Sequence, residues 1–175
     1  MIFTTHDKKY NLDKWINSTN GKLLITGFVG SGKSTLAKKL GEKYNVKVIE
    51  LDTYICIDKD KVKFLKLKNK IKQLLNYYQL QIDNTIDTVL KSEEKLIIEG
   101  IQIFLYSNKQ KYRQHSVVIK GTSILTSFIR AYNRNKNSRF AREWGKTEVM
   151  LDIYYNLFIK KVYKFKQLIN NWNKR

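Results

Sequence analysis

Residues 23–40 read Leu-Leu-Ile-Thr-Gly-Phe-Val-Gly-Ser-Gly-Lys-Ser-Thr-Leu-Ala-Lys-Lys-Leu. The apolar run 23–26 predicts a short buried strand, and Leu36, Ala37 and Leu40 recur at helical spacing beyond it. Between them Gly27, Gly30, Ser31, Gly32, Lys33, Ser34 and Thr35 fill the pattern G-x-x-x-x-G-K-[ST] and its flank. Glycines let the backbone turn its N–H groups inward around phosphate oxygens, and the helix that starts near Lys33 adds its positive dipole end to the same anion. In this pattern Lys33 neutralises the β and γ phosphates of ATP or another nucleoside triphosphate, and Ser34 places its hydroxyl on Mg²⁺.

Outward from that loop, strands and helices alternate. A second strand is expected over 46–51, ending at Asp52, and an amphipathic helix over 61–80 with Phe64, Leu67, Ile71 and Tyr78 on its apolar stripe. A further helix follows over 82–90. A third strand over 95–99 closes on Glu99-Gly100, and a fourth covers 116–120. A helix over 123–135 carries Arg130 and Arg134 one turn apart, and a long closing helix begins near Val149. The lead-in 1–21 is polar, with a short helix around Leu12 to Ile16 and no domain boundary. The expectation is one α/β domain over 1–175, a three-layer fold with a parallel sheet of about four strands. In such a sheet ligands bind beyond the carboxyl ends of the strands, where Gly27, Asp52 and Glu99 converge.

Composition narrows the function classes. With 175 residues, 42% apolar and 13% aromatic, the chain can bury a sizeable core, so disorder is excluded as its main state. Cys56 has no disulfide partner in the chain, and His6 and His115 stand too far apart to suggest a zinc cluster. The longest apolar stretch, 96–106, is interrupted by Glu99 and Gln102, too short and too polar for a membrane span. The first residues have no apolar signal core. A cytoplasmic location without membrane association is the resulting expectation. The net charge of +19 admits two readings: a polyanion partner such as nucleic acid, or a codon bias toward Lys, given 28 Lys against 6 Arg. Placement is more informative, since four of the six arginines, Arg130, Arg134, Arg139 and Arg142, fall in one short stretch.

The glycine loop of residues 27–35 resembles the Walker A loop of the P-loop small-molecule kinases, which include nucleoside and nucleoside monophosphate kinases. Leu51-Asp52-Thr53-Tyr54 is similar to the acidic end of the second strand in uridine-kinase-like and polynucleotide-kinase-like enzymes, and Ile97-Ile98-Glu99-Gly100 to the third strand of the uridine-kinase group. The resemblance spans about residues 23–142. It implies that Asp52 contacts or deprotonates an acceptor hydroxyl, that Glu99 holds Mg²⁺ or the acceptor, and that Arg130 and Arg134 are lid arginines closing over the donor, with a lid over about 130–145. Read alone, Asp52 also fits a helix cap or turn, Glu99 a lysine-paired acid, and the arginines a solvated helix face.

The family's usual fifth strand, whose loop packs on adenine, has no counterpart in a tail that reads as helix. Three functions follow: an ATP-dependent kinase of a nucleoside-like acceptor, a polynucleotide 5′-hydroxyl kinase, or a nucleotide-binding regulatory module without an acceptor. Trp15, Trp144 and Trp172 read as packing residues, Cys56 as an apolar filler, and neither histidine receives a role. Oligomeric state is open.

Overall fold

The computed structural model describes residues 2–5, 7–27, 30–56, 58–68, 70–108, 114–123, 126, 129, 130 and 133. His6, Arg134, Arg139, Arg142, Trp144, Trp172 and the expected closing helix lie outside the described residues.

Five strands form one sheet: β1 (Lys8–Tyr10), β2 (Lys22–Gly27), β3 (Lys47–Glu50), β4 (Leu96–Glu99) and β5 (Ser116–Lys120), in spatial order β1-β5-β2-β4-β3. The four expected strands are present and mutually parallel. The fifth, β1, comes from the polar lead-in and pairs antiparallel with β5, Lys9 opposite Val118. Its Lys-Lys-Tyr sequence and three-residue length carry no alternation from which an edge strand can be read.

Both faces of the sheet are covered, which is why β2 is buried at all six positions. Leu23, Ile25, Ile97 and Val118 point toward Trp15 of α1 (Leu12–Ile16) and toward Leu36, Ala37 and Leu40 of α2 (Lys33–Tyr44). Leu24, Ile98 and Val117 point the other way, toward Ile82, Ile86 and Val89 of α5 (Ile71–Leu90). Each such aliphatic side chain contributes about 1.5–3 kcal/mol on leaving water, so the two layers clamp the strand that carries the glycine loop. Trp15 packs edge-on against Tyr44 at 5.3 Å, a core role as expected.

Three expectations are corrected. The helix expected over 61–80 is two helices, α4 (Lys59–Leu67) and the first half of α5, which itself runs unbroken through the boundary expected near residue 81. The break at 68–70 is closed by Lys68 N–H on the Phe64 carbonyl at 3.1 Å and Lys70 N–H on the Leu65 carbonyl at 2.9 Å. One stripe therefore cannot run through both helices: α4 buries Leu65 and exposes Phe64 and Leu67. Strand β3 stops at Glu50, and Asp52 sits in a four-residue helical turn, α3 (Leu51–Tyr54). The chain turns there because Leu51 is driven into the core against Gly100. Cys56 is exposed rather than a filler. No described helix is long and apolar enough to cross a membrane.

Candidate active site

The glycine loop joins the carboxyl end of β2 to α2. Gly32 is the N-cap of α2 and stands at φ 88°, in the left-handed region where a side chain is strained. Gly27 is opposite Lys120 in the sheet, and a Cβ on it would lie 2.7 Å from the Lys120 carbonyl oxygen and 2.7 Å from Ser31 Oγ. Only glycine lets β2, β5 and the loop approach so closely. Ser31 is buried and its hydroxyl has no hydrogen-bond partner.

From the first turn of α2, Lys33 and Ser34 reach the end of β4. Ser34 Oγ donates to Glu99 Oε1 at 3.0 Å, and Lys33 Nζ stands 4.0 Å from Glu99 Oε2. Both Lys33 and Glu99 are buried. Burial raises the Glu99 carboxyl above the usual glutamate value; Lys33 and the Ser34 hydrogen bond pull it back, while Asp52 and Glu50 push it further up. Glu99 Oε2 accepts no hydrogen bond although it is shut off from solvent. A buried carboxylate oxygen that accepts no hydrogen bond, next to a serine hydroxyl, is a donor set suited to Mg²⁺, which takes one or two protein oxygens and completes its shell with phosphate and water. The described residues hold no cluster of three acidic, His or Cys ligands.

The raised Glu99 carboxyl has a measurable consequence. Ionised Glu99 costs stability, because the folded protein favours the proton; the cost is absent below the ordinary glutamate range near 4.5 and is felt as pH rises above it. Glu99→Gln is therefore expected to raise the melting temperature by a few degrees at pH 7.5 and to leave it unchanged near pH 4. The same variant should need more Mg²⁺ for half-maximal turnover. A variant less stable than the parent at pH 7.5 would contradict this account.

Asp52 is exposed, and its Oδ1 accepts a hydrogen bond from Gln102 Nε2 in the short 3₁₀ segment that follows β4. The link ties α3 to the segment after Glu99-Gly100 and holds the Asp52 carboxylate near enough to Glu99 to act on its charge. Asp52 is thus neither a helix cap nor a strand terminus. Arg130 lines the cavity above the glycine loop.

That cavity, about 590 Å³, is lined by Gly30 to Leu36 and Lys39 together with Ile2, Thr4, Lys120 and Arg130. The sequence reading missed Ile2, Thr4, Asp7 and Lys120. Lys120 Nζ donates to both oxygens of Asp7 at 2.9 Å, and the Asp7 carboxylate also accepts the N–H groups of Thr4 at 2.8 Å and Gly121 at 3.0 Å. Burial alone would raise the Asp7 carboxyl; the hydrogen bonds from Thr4, Lys120 and Gly121 together outweigh it and hold the group below its usual 3.8. No local signal marks this pair, since its partners are 113 positions apart and Lys120 is one of 28 lysines.

The Asp7 side chain is fully shielded from solvent, so breaking the pair leaves an uncompensated charge. Asp7→Asn is expected to cost about 3 kcal/mol in a denaturant titration at pH 7. The pair's contribution is fully present above the ordinary aspartate range and is lost as pH falls through the depressed value. Parent and variant should accordingly converge in strong acid; equal stability at pH 7 would remove the pair from the fold's support.

With the site described, comparison with known proteins places the architecture. The crystal structure of shikimate kinase from Bacteroides thetaiotaomicron superposes with a TM-score of 0.59 and 21% identity, covering 84% of this chain and 82% of that one. The chain has the fold of the P-loop small-molecule kinases. Shikimate kinase from Acinetobacter baumannii, solved in complex with shikimate, gives a TM-score of 0.55 at 14% identity over 88% of this chain and 82% of that one. In sequence, shikimate kinase of Sulfurihydrogenibium sp. (strain YO3AOP1) is 29% identical over 76 residues, 43% of each protein's length. The match thus spans less than half of that curated relative. No family model matches the chain.

Proposed function

We propose that the protein is an ATP- and Mg²⁺-dependent phosphotransferase whose acceptor is a small hydroxylated carboxylate of the shikimate type. The observation that carries this reading is the junction of three strand ends in one place. The phosphate loop after β2, the Ser34–Glu99 pair at the end of β4 and Asp52 just beyond β3 all meet there.

Phosphoryl transfer asks the protein mainly for positioning and for positive charge on the migrating oxygens. The backbone of the loop grips the donor phosphates, and Lys33, buried at its end, neutralises the β and γ groups. When bound, Mg²⁺ supplies further charge neutralisation on the same oxygens, held by Ser34 and Glu99. Arg130 lines the same cavity and can place its guanidinium on phosphate oxygens in a planar fork. Asp52, held by Gln102, orients the acceptor hydroxyl and takes its proton as the bond to phosphorus forms.

The neighbours' names support a shikimate-like acceptor over the nucleoside acceptor that the local motifs suggest. The test is a γ-phosphate transfer assay with labelled ATP and Mg²⁺, offering shikimate, pooled nucleosides, pooled nucleoside monophosphates and a 5′-hydroxyl oligonucleotide separately. Label on shikimate alone is the expected result. Label on the nucleosides, the nucleotides or the oligonucleotide would replace the acceptor assignment, and hydrolysis without transfer to any of them would make the protein a nucleotide-hydrolysing module.

A further inference from the structure

The cavity beside the phosphate loop has a wall that the loop does not supply. Ile2 and Thr4 line it together with Gly30, Ser31, Lys120 and Arg130, whereas Asp52 and Glu99 do not line it. The acceptor side of the transferred phosphoryl therefore lies toward Glu99 and Asp52. A nucleotide whose phosphates occupy the loop must extend the other way, into the space that Ile2 and Thr4 bound.

This wall is built into the fold. Strand β1 fixes its far end by pairing with β5, Lys8 opposite Ile119. Asp7 fixes its middle by accepting the Thr4 N–H and both contacts from Lys120, and Thr4 Oγ1 also accepts from Lys120 Nζ at 3.3 Å. Asp7 N–H closes the turn on the Thr4 carbonyl at 3.1 Å. Ile2 and Phe3, partly buried, pack against the core layer that includes Leu36. An apolar residue pressed on the core on one side and facing a cavity on the other offers a surface for the flat apolar face of a base, and the 590 Å³ space has the size of a small-ligand site.

We propose that Ile2 and Thr4, pinned through Asp7 to Lys120, form the base-side wall of the donor nucleotide site, with Ile2 as the residue the base rests on. The proposal builds on the phosphate-loop reading above, and its test separates the two. Dissociation constants for ATP and for inorganic tripolyphosphate, each with Mg²⁺, are measured on the parent, Ile2→Asp, Ile2→Ala and Lys33→Ala, with circular dichroism to establish that each is folded. Tripolyphosphate carries the phosphates without a base. Ile2→Asp should weaken ATP about tenfold, since it sets a charge against an apolar ring, and leave tripolyphosphate within about twofold. Ile2→Ala, which disturbs the fold least, should shift ATP in the same direction by less. Unchanged ATP affinity in both Ile2 variants, or equal losses for the two ligands, would overturn the proposal. Lys33→Ala should weaken both ligands together; retention of both would overturn the phosphate-loop reading instead.

Discussion

Lys33→Ala is expected to leave a folded protein with no measurable phosphotransfer and with ATP affinity reduced at least about a hundredfold. The affinity part follows from a charge-assisted contact of about 1.5–3 kcal/mol made in a buried setting, toward the upper end of that range. No neighbouring cation takes over. Lys120, which also lines the cavity, is committed to Asp7 at 2.9 Å from both oxygens. The substitution also strips Glu99 of the nearest positive charge, so a carboxyl already pushed up by burial moves further up and is worse suited to hold Mg²⁺. Turnover should thus fall by more than binding, measured as labelled phosphate release and transfer at saturating ATP. Lys33→Arg should not restore it, because the wider guanidinium has to fit a buried position at the first turn of α2. Retained turnover in Lys33→Ala would remove Lys33 from the chemistry.

How much of this was legible in the sequence divides along a physical line. The glycine loop was readable because its requirements are local: Gly27, Gly32, Lys33 and Ser34 act through backbone conformation and spacing within one strand-loop-helix unit. Strands β2, β4 and β5 were readable because, clad on both faces, they are short continuous runs of Leu, Ile and Val. Glu99 was expected at a strand end converging with the glycine loop, and it stands there with Lys33 Nζ 4.0 Å away and Ser34 Oγ donating to it.

What failed was non-local. Strand β1 exists because β5 offers an edge; nothing in Lys8-Lys9-Tyr10 announces it. Asp7 and Lys120 meet only through that pairing. The tail in which no fifth parallel strand was read lies outside the described residues, and that the edge beside β5 is taken by a segment from the start of the chain depends on tertiary packing. The break between α4 and α5 was hidden because Lys and Asn around residue 69 continue the polar face of either a helix or a turn. The arginine cluster remains legible only in part, with Arg130 at the cavity and Arg134 outside the described residues.

Asp52→Asn isolates the last element of the mechanism, because asparagine preserves the shape of the side chain and its Oδ1 can still accept the hydrogen bond from Gln102. The backbone of α3 is held independently by Leu51, which is buried against Gly100, so the turn should not move. What disappears is one negative charge and one proton acceptor. General-base assistance of this kind contributes about 10²–10⁴ in rate, and a loss in that range is expected for transfer to the acceptor. Donor binding should be unaffected, since Asp52 does not line the cavity beside the phosphate loop. The expected outcome is a split: ATP dissociation constant unchanged, transfer rate collapsed, and slow ATP hydrolysis by water persisting at its parental level. Glu99 gives a second readout, because Asp52 is one of the two acids that push its carboxyl up. Removing that charge should lower the Glu99 value slightly and so ease Mg²⁺ binding, opposite in direction to the loss of transfer. A variant that transfers phosphate at the parental rate would return Asp52 to a purely structural role at the start of α3, and would shift the search for the acceptor's base to the other groups around Gly100.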